Sequence, residues 1–121
     1  MAAAKIALPV IEQGATYRHN LYWLQPDKVT PVDMTGCTAK MQIRETKEAS
    51  NFILELSTAN SRLAIDLATG KISFYISDED TNILKPIKGA VYDLEVTFPN
   101  GTVTRLCEGK ISISGGVTRD A

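Results

Sequence analysis

The sequence predicts an all-β protein, an antiparallel sandwich of about eight or nine short strands with one helical turn near residues 78–84. Three observations predict this fold class. Apolar and polar residues alternate with a period of two along most of the chain, and turn residues interrupt this alternation at near-regular intervals. A single stretch departs from the pattern and begins with a helix-capping serine.

The clearest strands lie between Ala90 and Ser114. Apolar side chains recur at every second position of the first of them: Tyr92, Leu94, Val96 and Phe98. Asn100 and Gly101 tolerate positive φ best, so Pro99–Thr102 is predicted to form a type I′ turn into a strand at 103–108. Gly109 is predicted to separate that strand from the last one, at 110–114.

The first half of the chain predicts strands at residues 5–11, 15–25 and 37–45. Proline cannot donate to a ladder, so Pro9 places the first of them at a sheet edge or outside the sheet, as an N-terminal arm (residues 1–11) that could reach a neighbouring chain. In the second strand one face carries the expected core residues Tyr17, His19, Leu21 and Trp23. Pro31 makes residues 29–34 an edge strand or an irregular crossing rather than a central strand.

The next strands are predicted at residues 52–58, 62–67 and 71–77. Ser77 then caps a helical turn whose acidic first turn suits the helix dipole, and Pro86 and Gly89 end it. This order of elements favours an antiparallel sandwich of immunoglobulin-like architecture. A small closed barrel is the alternative, because the alternation does not say whether the sheet closes.

Length and composition predict one domain, residues 1–121, that ends in a C-terminal tail at 115–121. The formal net charge of −1 supplies no field that would gather nucleic acid or anionic lipid. We expect neither a membrane span nor a secretory leader, and synthesis in the cytoplasm. Cys37 and Cys107 are interpreted as small buried apolar residues, with a disulfide between their strands as the alternative.

Side chains that could carry chemistry are sparse. His19 is the only histidine and has no second ligand at metal spacing. The acidic run at residues 78–80 lacks the alternating pattern of a calcium loop and suits a helix N-terminus. We therefore predict no catalytic, cofactor-binding or metal-binding residues, and a protein that is not an enzyme.

Binding residues are predicted from exposure and from strand edges. Tyr22 and Tyr75 fall on the faces opposite the inferred core and are the expected exposed anchors, which could also stack on sugars. The chain ends offer further partner-binding candidates, because unpaired edges and loose termini can add strands from another chain. These candidates are Lys5, Ile6, Leu8 and Val10 in the arm and Val117 and Arg119 in the tail.

Several short motifs carry a resemblance that covers nearly the whole chain. They are Glu12–Tyr17, Leu21–Trp23, Pro31–Gly36 and Ala39–Arg44, and then Tyr92–Glu95, Gly101–Leu106, Glu108-Gly109 and Val117–Arg119. With these motifs the sequence resembles small structural proteins of tailed bacteriophages. It is more distantly similar to the N-terminal Ig-like domain of phage baseplate upper proteins.

The resemblance implies a non-enzymatic virion protein, an accessory or adaptor subunit of the tail, neck (collar) or baseplate. Its partners would be other virion proteins, including further copies of itself, and no cofactor is implied. The baseplate proteins carry a long C-terminal extension that this sequence lacks, which favours a free-standing subunit over a fibre tether. A capsid decoration (cement) protein is the first alternative, and a carbohydrate-binding module that contacts host glycans through Tyr22 or Tyr75 is the second.

Overall fold

A computed structural model describes residues 3–116. Its strands are β1 (Ala4–Lys5), β2 (Ile11–Glu12), β3 (Tyr17–Tyr22), β4 (Thr38–Arg44), β5 (Leu54–Ser57), β6 (Leu63–Asp66), β7 (Lys71–Ile76), β8 (Ile87–Thr97) and β9 (Val103–Ser114). One short helix, α1 (Asp78–Asn82), lies between β7 and β8. The all-β prediction with one helical turn is confirmed.

The strands form two sheets that pack face to face as a sandwich. The larger sheet has the order β1-β9-β8-β4-β5, with β2 also paired to β9, and the smaller sheet has the order β3-β7-β6. The orders β9-β8-β4 and β3-β7-β6 within these sheets match the orders G-F-C and B-E-D of an immunoglobulin-like sandwich, so the open sandwich rather than the closed barrel is correct. β1 and β2 run parallel to β9, whereas every other pairing within the described residues is antiparallel.

The core lies between the two sheets and follows the period-two alternation. Along β8, Tyr92, Leu94 and Val96 are buried, and in β7 every second side chain is 0–2 % exposed: Ile72, Phe74 and Ile76. Burying each large apolar side chain of this kind contributes roughly 1.5–3 kcal/mol. The alternation of apolar and polar residues therefore determines which face of each central strand points inward.

Helix α1 carries the chain from the smaller sheet to the larger one. The Ser77 side chain accepts a hydrogen bond from the backbone N–H of Asp80, as the predicted cap requires. Thr81 is fully buried, and its hydroxyl donates to the carbonyl of Ala15 at 2.8 Å and accepts from the N–H of Gly14 at 3.1 Å. The helix is thereby fixed to the turn that precedes β3.

The predictions of one strand at 5–11 and of a break at Gly109 are wrong. The predicted strand at 5–11 is two dipeptide strands, because Pro9 interrupts the pairing with β9. Conversely, β9 continues through Gly109 as one strand of twelve residues. Gly109 marks a close backbone approach: a Cβ there would lie 2.9 Å from the carbonyl carbon of Ile6.

The turn between β8 and β9 also differs from its prediction. The N–H of Gly101 donates to the carbonyl of Phe98, and the N–H of Phe98 donates to the carbonyl of Thr102. Gly101 has a φ of +90° while Asn100 is not among the residues with positive φ. The loop is therefore a type I turn closed by a glycine, in which Pro99 takes the position that its fixed φ favours.

Candidate interaction surfaces

The N-terminal arm lies along β9 of its own chain. The N–H of Ile6 donates to the carbonyl of Glu108 at 2.9 Å, and the N–H of Leu8 donates to the carbonyl of Lys110 at 3.1 Å. These bonds continue the parallel pairing of β1, in which Ala4 lies opposite Cys107. The arm is thus an edge strand of the larger sheet, as one of the two predicted placements had it.

Side chains hold the arm in place. The Tyr92 hydroxyl donates to the carbonyl of Ile6 at 2.6 Å, and the Lys5 ammonium forms an ion pair with Glu108. Leu8 is only 7 % exposed and belongs to the core, whereas Val10 is 44 % exposed. Lys5, Ile6 and Leu8 are therefore all engaged by their own sheet, and their predicted contact with a partner chain stays a prediction.

The arm also changes the ionisation of Glu108. The hydrogen bond and the charge of Lys5 lower the pKa of the Glu108 carboxyl below its usual value, and Lys47 and Arg105 act in the same direction.

Val117 and Arg119, the candidates from the tail, lie outside the described residues.

The outer face of the smaller sheet brings the two predicted anchors onto one surface. Tyr22 is 59 % exposed and Tyr75 is 38 % exposed. Tyr75 lies opposite Arg18 in the β3–β7 pairing, and the Arg18 guanidinium lies 4.7 Å from the centre of the Tyr75 ring. Tyrosine and arginine are the residues that protein interfaces favour, and the cation–π contact holds this pair in place.

The edge of this sheet at β3 has no partner strand within the described residues. In immunoglobulin-type sandwiches the first strand can pair with the second, but here β1 and β2 pair with β9 instead. The hydrogen bond from the N–H of Trp23 to the carbonyl of Gly70 shows which residues bond β7, because bonded pairs alternate along an antiparallel ladder. The backbone groups that bond β7 are those of Tyr17, His19 and Leu21. The backbone groups that face outward from the edge are those of Arg18, Asn20 and Tyr22.

The sandwich is open along this edge and closed along the opposite one. Along this edge the inward side chains of His19 and Leu21 in β3, and of Trp23 just after it, remain partly exposed. On the other side Arg62 links both sheets and the helix, because its guanidinium donates to the carbonyl of Glu55 at 2.9 Å and to the carboxylate of Asp80 at 2.8 Å.

The outer face of the larger sheet is a shallow charged concavity of about 490 Å³. Arg105 is its central cation and lies within 3.4–4.0 Å of carboxylate oxygens of Asp93, Glu95 and Glu108. Lysines and arginines balance these acids along the rim: Lys5, Arg44, Lys47 and Lys110. The charges compensate one another, which makes this face a solvated polar surface.

The residues considered for chemistry are dispersed. His19 packs edge-on against Phe74, with 5.8 Å between ring centres. Both cysteines are free, Cys107 buried and Cys37 half-buried, so the alternative of a disulfide between them is wrong. Residues 3–116 contain no group of three or more histidine, cysteine or acidic side chains that could hold a metal ion. Helix α1, the one helix of these residues, lacks the length and apolarity needed to cross a membrane.

Sequence reasoning placed Tyr22 and Tyr75 on the outer face but missed the unpaired edge beside them. That edge exists because the arm docks on β9, and the contacts that hold it there join residues far apart in the chain, such as Ile6 and Tyr92. The one local signal is Gly109, whose missing side chain leaves room for the arm.

No protein-family model matches this chain, and neither does any curated protein.

Proposed function

We propose that this chain is a non-enzymatic structural protein of a bacteriophage virion, an accessory or adaptor subunit of the tail, neck (collar) or baseplate. It is made and assembled in the host cytoplasm and binds other virion proteins in many copies. Two lines of argument support the proposal: the resemblance of its motifs to small tailed-phage structural proteins, and the character of its exposed surface.

The observation that carries the proposal is the outer face of the smaller sheet. Tyr22 and Tyr75 expose aromatic rings there, and Arg18 stacks on one of them. Aromatic and arginine side chains that are already held in place lose little conformational entropy on binding, which suits a protein-docking face. The other broad face, around Arg105, compensates its own charges and offers no comparable apolar anchors.

The first experiment tests whether the chain is part of the virion and where it lies in the particle. Particles of the phage that encodes the chain are purified, and the chain is quantified by mass spectrometry and located by gold labelling. We expect it on the tail, neck or baseplate at a fixed copy number. Absence from the particle would overturn the proposal.

A matched pair of variants tests the docking face. Tyr75→Asp replaces one of the two aromatic anchors by a charge, and Thr38→Asp adds the same charge on the exposed outer face of the larger sheet. We expect the first variant to lose incorporation into particles about tenfold or more, as an interface anchor does, and the second to keep it. Equal incorporation of both variants would rule out this face as the docking surface.

Copy number distinguishes the alternative location. A capsid decoration protein scales with the number of major capsid proteins, whereas a tail, neck or baseplate subunit follows the ring symmetry of those assemblies. A copy number proportional to the major capsid protein would replace the proposed location with the capsid.

A further inference from the structure

We propose that the free edge of β3 pairs with β3 of a second copy of this chain, antiparallel and about a twofold axis at Asn20. The pairing joins two three-stranded sheets into one continuous six-stranded sheet. It deepens the proposed function, because it doubles the proposed docking face and names the partner of its edge.

The edge lacks most of the features that guard edge strands in monomers, and its one arginine, Arg18, is already stacked on Tyr75. Tyr17–Tyr22 contains no proline or lysine, and its register with β7 runs without a bulge. Its six residues make it the longest edge strand in the described part of the chain, since β5 and β6 have four residues each and Pro9 interrupts the arm. An edge of this kind is a template for strand addition.

The sequence of the strand is complementary to itself. Hydrogen-bonded pairing requires the outward-facing backbone groups of Arg18, Asn20 and Tyr22 to meet those of the same residues in the second copy. With Asn20 opposite Asn20, each Arg18 lies opposite Tyr22 of the second copy. A register centred on Arg18 would instead place two guanidiniums face to face, which is unfavourable.

The side chains on the outer face then continue across the new pairing. Arg18, already stacked on Tyr75, gains the Tyr22 ring of the second copy on its other side. Tyr22 lies between Lys71 of its own sheet and Arg18 of the second copy. Neighbouring strands are about 4.8 Å apart, so both aromatic rings lie within cation–π range of a cation.

The inner face gains cover at the same time. His19, Leu21 and Trp23 point towards the core but remain partly exposed at the open edge, whereas the inward side chains of β7 are fully buried. In the proposed register His19 lies opposite Leu21 of the second copy, so each copy covers the partly exposed inward side chains of the other. A contact built on one strand is small, and we expect a dissociation constant on the order of tens of micromolar.

The test is the mass of the purified full chain in solution, measured by sedimentation with a reducing agent present so that Cys37 cannot cross-link copies. We expect the mass to rise with concentration from that of one chain to that of two. A chain that stays monomeric up to about 1 mM would overturn the inference.

Two variants at the twofold axis test the register. Asn20→Lys and Asn20→Asp each place like charges opposite one another, and each should raise the dissociation constant about tenfold or more. Mixing the two variants in equal amounts places lysine opposite aspartate, and we expect the dimer to return. Dimers that persist in both single variants, or a mixture that stays monomeric, would overturn the Asn20-centred pairing.

Ala64 provides the matched control. It is exposed on the same sheet face and lies in the same row as Asn20, because both pair with Ser73, but it belongs to the opposite edge. Ala64→Lys and Ala64→Asp should leave dimer formation unchanged, and thermal unfolding of all four variants reports whether each still folds. Because this test uses the isolated chain, its failure is distinguishable from absence of the chain from the virion.

Discussion

The hydroxyl of Tyr92 donates a 2.6 Å hydrogen bond to the carbonyl of Ile6, which lies 86 residues earlier in the chain. This bond fastens the N-terminal arm to the edge of the larger sheet. Because the arm is committed to β9, it cannot cover the edge of β3. A contact deep in one sheet thus determines which edge of the other sheet is open.

Tyr92→Phe tests this fastening. The change removes one hydrogen bond and should lower the free energy of unfolding by about 1 kcal/mol. We expect a larger local effect, seen as faster hydrogen exchange of the Ile6 and Leu8 amides that bond β9. Tyr22→Phe removes a hydroxyl from an exposed ring and is the control, with no change expected. Unchanged exchange of both amides in Tyr92→Phe would contradict the role assigned to this bond.

The ion pair between Arg62 and Asp80 predicts how acid changes the stability of the protein. The hydrogen bond from Arg62 holds the pKa of the Asp80 carboxyl below its ordinary value of 3.8, so the folded state binds this proton more weakly than the unfolded state does. The stabilisation from this pair is therefore present above pH 3.8 and is lost as the pH falls below that value.

Denaturant unfolding of Asp80→Asn at several pH values measures the effect. The variant should be less stable than the wild type at neutral pH, and the difference should shrink as the pH falls below 3.8. Glu79→Gln, one residue earlier and exposed, is the control, because it leaves the Arg62–Asp80 pair in place. A stability difference that stays constant across this range would contradict the assignment.

The predictions that succeeded depend on local patterns. The cap at Ser77 needs only the residues of its own turn, and the inward face of β7 follows from alternation within six residues. Phe52 and Leu67 continue the alternation of β5 and β6 past the ends of those strands, and both are about half exposed. The period predicts a face but not where the pairing stops.

The predictions that failed concern contacts between distant segments. A glycine within an alternating stretch can mark a break or a close backbone approach, and at Gly109 the approaching backbone is that of Ile6. Nothing near Gly109 in the sequence distinguishes the two. The open edge at β3 could not be predicted for the same reason.

Substitutions of Gly101 test the type I turn between β8 and β9. Its φ of +90° strains any β-branched residue, although a Cβ there would meet no atom within 4 Å. Gly101→Val should therefore lower the free energy of unfolding by about 1–3 kcal/mol through backbone strain alone. Gly101→Asn is the matched control and should cost less, because asparagine tolerates positive φ better. Equal melting temperatures for both variants would argue against the glycine-closed type I turn.

The reactivity of the two free cysteines measures how well the arm protects the core. Burial raises the pKa of both thiols, but Cys107 is only 1 % exposed and lies opposite Ala4 of the arm, whereas Cys37 is half-buried. Since the thiolate is the reactive form, iodoacetamide at about pH 8 should modify Cys37 first and Cys107 only when the structure opens.

Single-cysteine variants separate the two rates. Cys107→Ser should keep the faster reaction, and Cys37→Ser should leave the slower one. Adding Tyr92→Phe should make the slower reaction faster because the arm then opens more often, whereas loss of the hydrogen bond from Tyr92 to Cys107 alone would raise the pKa of the thiol and slow the reaction. In denaturant both thiols should react at similar rates. Equal rates in the folded protein, or a Cys107 rate that Tyr92→Phe does not change, would mean that the arm does not control access to this part of the core.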